Sequence, residues 1–203
     1  MERFMGIYMS IHEIYVRFRK YGRRLSEKGY VAGHGGNISL RIGDSIIITR
    51  RGCTLEDLKP SDLIMVSFGE EEAKLASTEL PVHREIYLKT DFKAVIHAHC
   101  PYSTAISYFY GEIEALEIEA QYTLKKIPVV EGRSGSMDLA VKVADAVRKF
   151  GGVIVRGHGT FTAGVDLESA YRLTCLIERN SKQKYLTDVL RKLGFKMIFP
   201  REV

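Results

Sequence analysis

The chain has 203 residues, 45% of them hydrophobic, and 30 Lys and Arg against 25 Asp and Glu, a formal charge of +5. That is enough apolar material for one well-buried core, no Pro/Ser-rich linker divides it, and residues 1–203 are expected to form a single domain. Basic and acidic residues are interspersed without a basic, aromatic-rich stretch, which argues against nucleic acid; Glu2, Arg3, His12, Glu13 and Arg17 interrupt the first apolar residues, which argues against a signal peptide or membrane span.

From Ile11, the residues Ile14, Tyr15, Phe18, Tyr21 and Leu25 recur at helical spacing until Gly29 stops the pattern, so the chain opens with an amphipathic helix. "GHGGNISL" (33–40) and "TRRGCT" (49–54) supply glycines and small polar residues whose amides can surround an anion. Between them "SIIIT" (45–49), β-branched and preceded by Gly43-Asp44, reads as a strand. In "ASTEL" the hydroxyls of Ser77 and Thr78 stand at a helix start, where ordinary capping is the commoner role, and Pro81 suits the first turn of a helix from near Thr78 to about Thr90. "AVIHAH" and "KIPVV" read as strands, Ser136 or Asp138 caps a helix through Phe150, and "GGVIVRGHG" is a buried strand ending in glycines. Asp166 caps a last, long helix with Leu167, Ala170, Leu173, Ile177 and Tyr185 among its apolar positions. The sum is a mixed α/β fold. Cys53, Cys100 and Cys175, widely spaced and odd in number, suit a reducing compartment, and cytoplasm is the expected location.

Six histidines are present, and three of them stand at strand ends: His97 and His99 in "HAH", and His158 in "RGHGTF". Residues two apart on a strand point the same way, so His97 and His99 can close on one point. Three imidazoles with a carboxylate or water in a fourth place are a common ligand set for catalytic Zn²⁺ or a similar ion. A bare H-x-H also fits two histidines packed in a core, but the glycines on either side of His158 let backbone or ligand come close, which packing does not require. His12 on the first helix, His34 in a glycine loop and His83 on a predicted helix are of kinds more often found as surface or core residues and are left out of the candidate site.

Taken in order, "GGNIS", "TRRG", "STE", "HAH" and "GHG" resemble the class II aldolase/adducin family, most of all its fuculose-phosphate aldolase branch, over roughly Ile11 to Tyr185. The resemblance implies an α/β/α fold around a central, mainly antiparallel sheet, and a homotetramer with active sites between subunits. It implies a Zn²⁺ enzyme, with Mn²⁺ or Co²⁺ as alternative metals, that reversibly cleaves a phosphorylated ketose such as L-fuculose 1-phosphate to dihydroxyacetone phosphate and a small aldehyde. By motif, His97, His99 and His158 take the metal-ligand places, and Glu79 takes that of a carboxylate that both ligates the metal and acts as base. Gly36, Asn37, Arg51, Gly52, Ser77 and Thr78 fall where the family holds the substrate phosphate. In that family Glu at position 79 goes with aldol chemistry and Asp with 4-epimerases; a dehydratase or decarboxylase of a phosphosugar uses the same scaffold, and a metal-free, adducin-like binding module is the alternative of a different class.

The chain also departs from the pattern. A family tyrosine about twenty residues after H-x-H, which handles the proton on the aldehyde oxygen, would fall near Ile118, and Tyr122 is the nearest candidate. "KLGFKM" has Phe195 where a second tyrosine is expected, and "TRRG" carries Arg50 and Arg51 where a small hydroxyl residue is common. An arginine can still grip phosphate through its planar fork. Tyr108 and Tyr110 are further candidates for a neighbouring subunit's site.

Overall fold

Eight strands form one sheet in the order β3-β2-β1-β4-β8-β7-β6-β5, and helices lie on both of its faces in this computed structural model. Residues 9–69, 73–124 and 126–198 are described; Glu2, Arg3 and the two ends of the 1–203 span lie outside them. In chain order the elements are α1 (Ile11–Glu27), β1 (Asn37–Ile42), β2 (Ser45–Thr49), β3 (Leu63–Ser67), α2 (Leu80–Lys89), β4 (Ala94–Ala98), α3 (Pro101–Ile106), β5 (Glu112–Glu114), α4 (Ile118–Thr123), β6 (Lys126–Val130), α5 (Met137–Phe150), β7 (Gly152–Val155), β8 (Gly159–Gly164) and α6 (Leu167–Lys192). Every neighbouring pair is antiparallel except β6 with β7. This is the mixed α/β, mainly antiparallel architecture that the resemblance implied.

The alternation of side chains along each strand divides the core between the two faces. Ile46 and Ile48 of β2 and Val95 of β4 pack against α2 and α5, through Val82, Ile86, Leu139, Val143 and Val147. Their neighbours Ile47, Ala94, Ile96 and Ala98 face the other way, onto Phe18 and Leu25 of α1 and Leu167 and Ala170 of α6. A smaller cluster of Ile106, Ile113, Ile127, Ile154 and Ile177 closes the β5–β7 end. Full burial of such side chains contributes about 1.5–3 kcal/mol each, so the pattern that sets the faces is also the main source of stability.

Local chemistry sets the helix starts. Ser10 and Glu13 form a reciprocal capping box at α1, Ser136 accepts from the Leu139 N–H at α5, and Asp166 accepts from the Ser169 N–H at α6. Of the two caps expected for α5, Ser136 is the one used. Two segments differ from the sequence reading. "GHGGNISL" is a glycine loop only in its first half, since Asn37 onward pairs with β2 and β4 as β1. "GGVIVRGHG" stops as a strand at Val155; residues 156–158 turn the chain back, and β8, whose small and hydroxylated residues carry little apolar signal, runs alongside β4.

Helix α3 has only six residues and begins immediately after the His99-Cys100 pair. Its first turn is capped from α6: the Glu178 carboxylate, 3% exposed, accepts from the Tyr102 N–H (2.8 Å), the Ser103 N–H (2.8 Å) and the Ser103 hydroxyl (2.6 Å). Glu178→Ala strands these donors in the interior and is expected to lower the stability of the folded protein by about 2–3 kcal/mol, read as a shift in the urea midpoint at unchanged slope. A midpoint within error of the parent would show that the cap contributes nothing.

Candidate metal centre and anion pocket

Strand β4 places Val95 and His97 on one face of the sheet, and His99 follows in the same sense just past the strand's end. His97 is 1% exposed and its Nδ1 lies 3.0 Å from the Thr160 carbonyl of β8. A carbonyl can only accept, so Nδ1 carries the proton and Nε2 presents a lone pair. That lone pair faces His99 Nε2 at 3.1 Å. His158 reaches the same place from the β7–β8 turn, its ring centroid 4.6 Å from that of His97 and 5.1 Å from that of His99.

Two glycines make the approach possible. A Cβ at Gly159 would lie 2.3 Å from the Ala98 carbonyl oxygen, so only glycine lets β8 start so near the end of β4 and carry His158 over His97. Gly36 has φ +80°, and a Cβ there would meet Val31 Cγ1 at 2.6 Å and the His97 carbonyl oxygen at 2.9 Å.

One donor nitrogen from each of His97, His99 and His158 lies within 4.8 Å of the others. Two ligands of a tetrahedral Zn²⁺ at about 2.0–2.1 Å stand about 3.3 Å apart, close to the spacing of the first pair. Burial, followed by the neighbouring His158 and His99, holds His97 well below the ordinary imidazole range; burial, followed by His158, lowers His99. Both rings are therefore neutral near pH 7, the form that binds metal.

Glu79 is 3% exposed at the N-terminus of α2. The Ser134 hydroxyl donates to its Oε1, while Oε2 is buried with no hydrogen-bond partner among the described residues. A buried carboxylate oxygen without a donor is rare and calls for a cation or a proton. Glu79 is not among the donors that fall within 4.8 Å of one another, so its anchor on Ser134 and the imidazole cluster are separate features of one cavity. Three clustered imidazoles and a carboxylate oxygen with no hydrogen-bond partner fit a borderline divalent cation such as Zn²⁺.

The cavity that contains these groups has a volume of about 350 Å³. Its wall also includes Gly36, Asn37, Arg51, Gly52, Ser77 and Thr78, so the glycine-rich loop, the arginine turn and the start of α2 meet at one opening. The Arg50–Cys53 turn is closed by the Cys53 N–H on the Arg50 carbonyl at 3.3 Å, which leaves both arginine side chains exposed at the rim. His34, Arg50, Cys53 and Ser134 line the same cavity. His34 and Cys53 could have been suspected from the loops that carry them, whereas Ser134 sits in an ordinary glycine/serine turn with no signal in the sequence.

Tyr122 does not line this cavity. It stands on α4, 74% exposed, at the edge of a second depression of about 830 Å³ bordered by Tyr30, Tyr102, Tyr171 and Arg179. Tyr108 and Tyr110 do not line the histidine cavity either; Tyr110 is tied to Asp188 at 2.5 Å and to Lys184 at 2.9 Å.

Among the described residues no helix is long and apolar enough to cross a membrane. The family described as the class II aldolase and adducin N-terminal domain matches residues 17–185. A protein of Methanococcus maripaludis named L-fuculose phosphate aldolase is 34% identical over 179 residues, which are 87% of this chain and 98% of that protein. One of the same name from Methanocaldococcus jannaschii is 35% identical over 179 residues, with the same shares of 87% and 98%. The crystal structure of L-fuculose-1-phosphate aldolase from Thermus thermophilus superposes with a TM-score of 0.86 at 30% identity, covering 91% of this chain and 98% of that one.

One further histidine lies behind the cavity wall. His83 of α2 is fully buried, and burial pulls its pKa down to about 3. In the unfolded chain it binds a proton below about pH 6.5 that the folded chain refuses, so stability falls as pH drops through that range. Between pH 7 and pH 5 this one group is expected to remove about 2 kcal/mol, and urea titrations of a folded His83→Gln variant should fall less steeply with acid by that amount. Parallel acid profiles for the two proteins would mean that His83 takes up its proton without unfolding.

Proposed function

Because the chain belongs to the class II aldolase and adducin N-terminal domain family, we propose that it is a metal-dependent aldolase that reversibly cleaves L-fuculose 1-phosphate, or a closely related ketose phosphate, to dihydroxyacetone phosphate and a small aldehyde, lactaldehyde for the fucose-derived sugar. The observation that carries the reading is one cavity in which three clustered imidazoles and a buried carboxylate oxygen without a donor face a rim of glycines, hydroxyls and arginines.

In this proposal His97, His99 and His158 would hold the ion, zinc in the first instance, with Glu79 Oε2 as a further ligand. When bound, the ion supplies Lewis acidity to the oxygens beside the carbon–carbon bond that breaks. The Thr160 carbonyl keeps His97 in the tautomer that ligates through Nε2. Glu79, tethered at Oε1 by Ser134, delivers a proton to the carbon left on the dihydroxyacetone phosphate half, and removes it in the direction of synthesis. Gly36, Asn37, Gly52, Ser77 and Thr78 receive the phosphate with amide and hydroxyl donors, and Arg51 adds a charged fork where a hydroxyl is more usual.

The proton on the oxygen that becomes the aldehyde is assigned to Tyr122. Its exposure, away from its own protomer's cavity, supports its serving the site of a neighbouring copy, as in a homotetramer with sites between subunits. Cys53, Cys100 and Cys175 are all free, which accords with a reducing, cytoplasmic setting.

Incubation of the zinc-loaded protein with L-fuculose 1-phosphate is expected to release dihydroxyacetone phosphate, detected by coupled reduction. Consumption of another phosphosugar without that product would make the protein an epimerase, dehydratase or decarboxylase. Absence of stoichiometric metal from protein prepared in zinc would point to a binding module.

Substitutions separate the roles. His99→Ala is expected to lose bound metal and turnover together, whereas Glu79→Gln keeps most of the metal and loses about 100-fold or more in kcat, the scale of a positioned acid–base group. Tyr122→Phe should retain both metal and phosphate affinity and lose turnover. Normal turnover by Glu79→Gln would remove the proton-transfer role from this residue.

A further inference from the structure

The conversion assigns Asn37 a phosphate contact but leaves unused a line of buried polar groups behind it. Asn37 Oδ1 lies 2.5 Å from His83 Nε2, His83 Nδ1 lies 2.6 Å from Ser39 Oγ, and Ser39 Oγ lies 2.7 Å from the Tyr87 hydroxyl. Ser39, His83 and Tyr87 are fully buried and Asn37 is 5% exposed. The line runs from the α2-side core, through β1, to the wall of the cavity.

The direction of these hydrogen bonds follows from their inner end. Ser39 Oγ is the one side chain within hydrogen-bond distance of the Tyr87 hydroxyl among the described residues, and a fully buried phenol that fails to donate leaves its proton without a partner. Tyr87 therefore donates to Ser39. The Ser39 proton must then go to His83 Nδ1, which has to be the unprotonated nitrogen of a neutral ring. The proton of that ring is consequently on Nε2, and the Asn37 atom facing it must be an acceptor, Oδ1. Each step leaves one choice for the next.

We infer that His83, oriented through Ser39 by Tyr87, is a positioning residue that fixes the Asn37 side-chain amide with its oxygen inward and its NH₂ toward the cavity. The inference rests on the reading of Asn37 as a phosphate contact. An asparagine amide is nearly symmetric in shape, so packing alone does not distinguish its two orientations, and the wrong one would present a carbonyl oxygen to an anion. Asn37 Nδ2 makes no hydrogen bond to another described residue, so the amide's donor end is left for a ligand.

A second contact ties the relay to the neighbouring histidines without making it one of them. Phe161 stacks on His97 with centroids 4.2 Å apart and an interplanar angle of 16°, and receives His83 edge-on at 6.0 Å. His83 is not among the three clustered imidazoles and its Nε2 bonds Asn37, so it acts on the anion side of the cavity.

The test measures binding of inorganic phosphate to the zinc-loaded protein by calorimetry, beside the zinc content, for Asn37→Ala, His83→Gln and Tyr87→Phe. Tyr87→Phe removes a single oxygen three hydrogen bonds away from the cavity-lining Asn37 and is the variant chosen to keep the fold. Asn37→Ala is expected to weaken phosphate binding about tenfold, the equivalent of one hydrogen bond, and the two relay variants by several-fold, all with one zinc per chain. With the sugar phosphate as substrate, KM in the relay variants should rise more than kcat falls, because the proton-transfer groups are untouched. If Asn37→Ala weakens phosphate binding while Tyr87→Phe and folded His83→Gln bind as the parent does, the relay is wrong and the phosphate contact stands. If Asn37→Ala binds phosphate as the parent does, the contact itself is wrong and the relay falls with it. Loss of zinc in step with phosphate would also overturn the inference, since it would show a general collapse of the cavity.

Discussion

The approach of β8 to the end of β4 is the contact from which the site follows. At Gly159 the two backbones come so near that a methyl group would sit inside the Ala98 carbonyl oxygen. That nearness brings the Thr160 carbonyl to His97 Nδ1 and the β7–β8 turn, with His158, over the face from which His97 and His99 emerge. Three residues from two separated stretches of chain thus meet because two strands are neighbours in a sheet: the β4–β8 ladder holds His97, and His99 and His158 stand just beyond its end. The sheet positions the nitrogens, while the loops around Gly36 and Gly52 supply another part of the cavity wall.

Charge keeps the same region functional. His97 and His99 resist protonation through burial and through the neighbouring imidazoles, and a carboxyl group lines the same cavity with one oxygen bound and one without a donor. Such an arrangement is unfavourable as a packed core and reasonable as a receptor for a doubly charged ion, which offsets both the lone-pair crowding and the bare oxygen. Exposed Arg50 and Arg51 at the rim raise the local positive potential without being part of the imidazole cluster.

Much of this was legible in the sequence because the relevant signals were periodic or compositional. The alternation in "AVIHAH" put both rings on one side, the helical spacing from Ile14 to Leu25 marked α1, and Ser136 and Asp166 announced helix starts that the backbone uses. The glycines flanking His158 pointed to a close approach, and the approach is there at Gly159. What could not be read was of two kinds. β8 is built from Gly, Thr and Ala around Phe161 and is recruited to the sheet by its neighbours, so pattern alone does not distinguish it from a loop. Ser134 and His83 earn their places through contacts with residues 55 and 46 positions away, information that exists only after the chain has folded. Tyr122 came from the resemblance, as the tyrosine nearest to a family position, and position along the chain does not say which cavity a surface side chain lines; it borders the second depression.

The cap that Glu178 places on α3 spans more than seventy residues of sequence and joins the segment after His99 to the C-terminal helix. During synthesis the histidine-bearing strand, the glycine and arginine loops and the whole sheet leave the ribosome before Glu178 does. Until α6 docks, the first amides of α3 have only water to bind, and the stretch that carries His99 lacks its anchor. Assembly of the cavity is therefore coupled to arrival of the last helix, so that the sheet together with α6, rather than the sheet alone, is the unit that anchors the segment after His99.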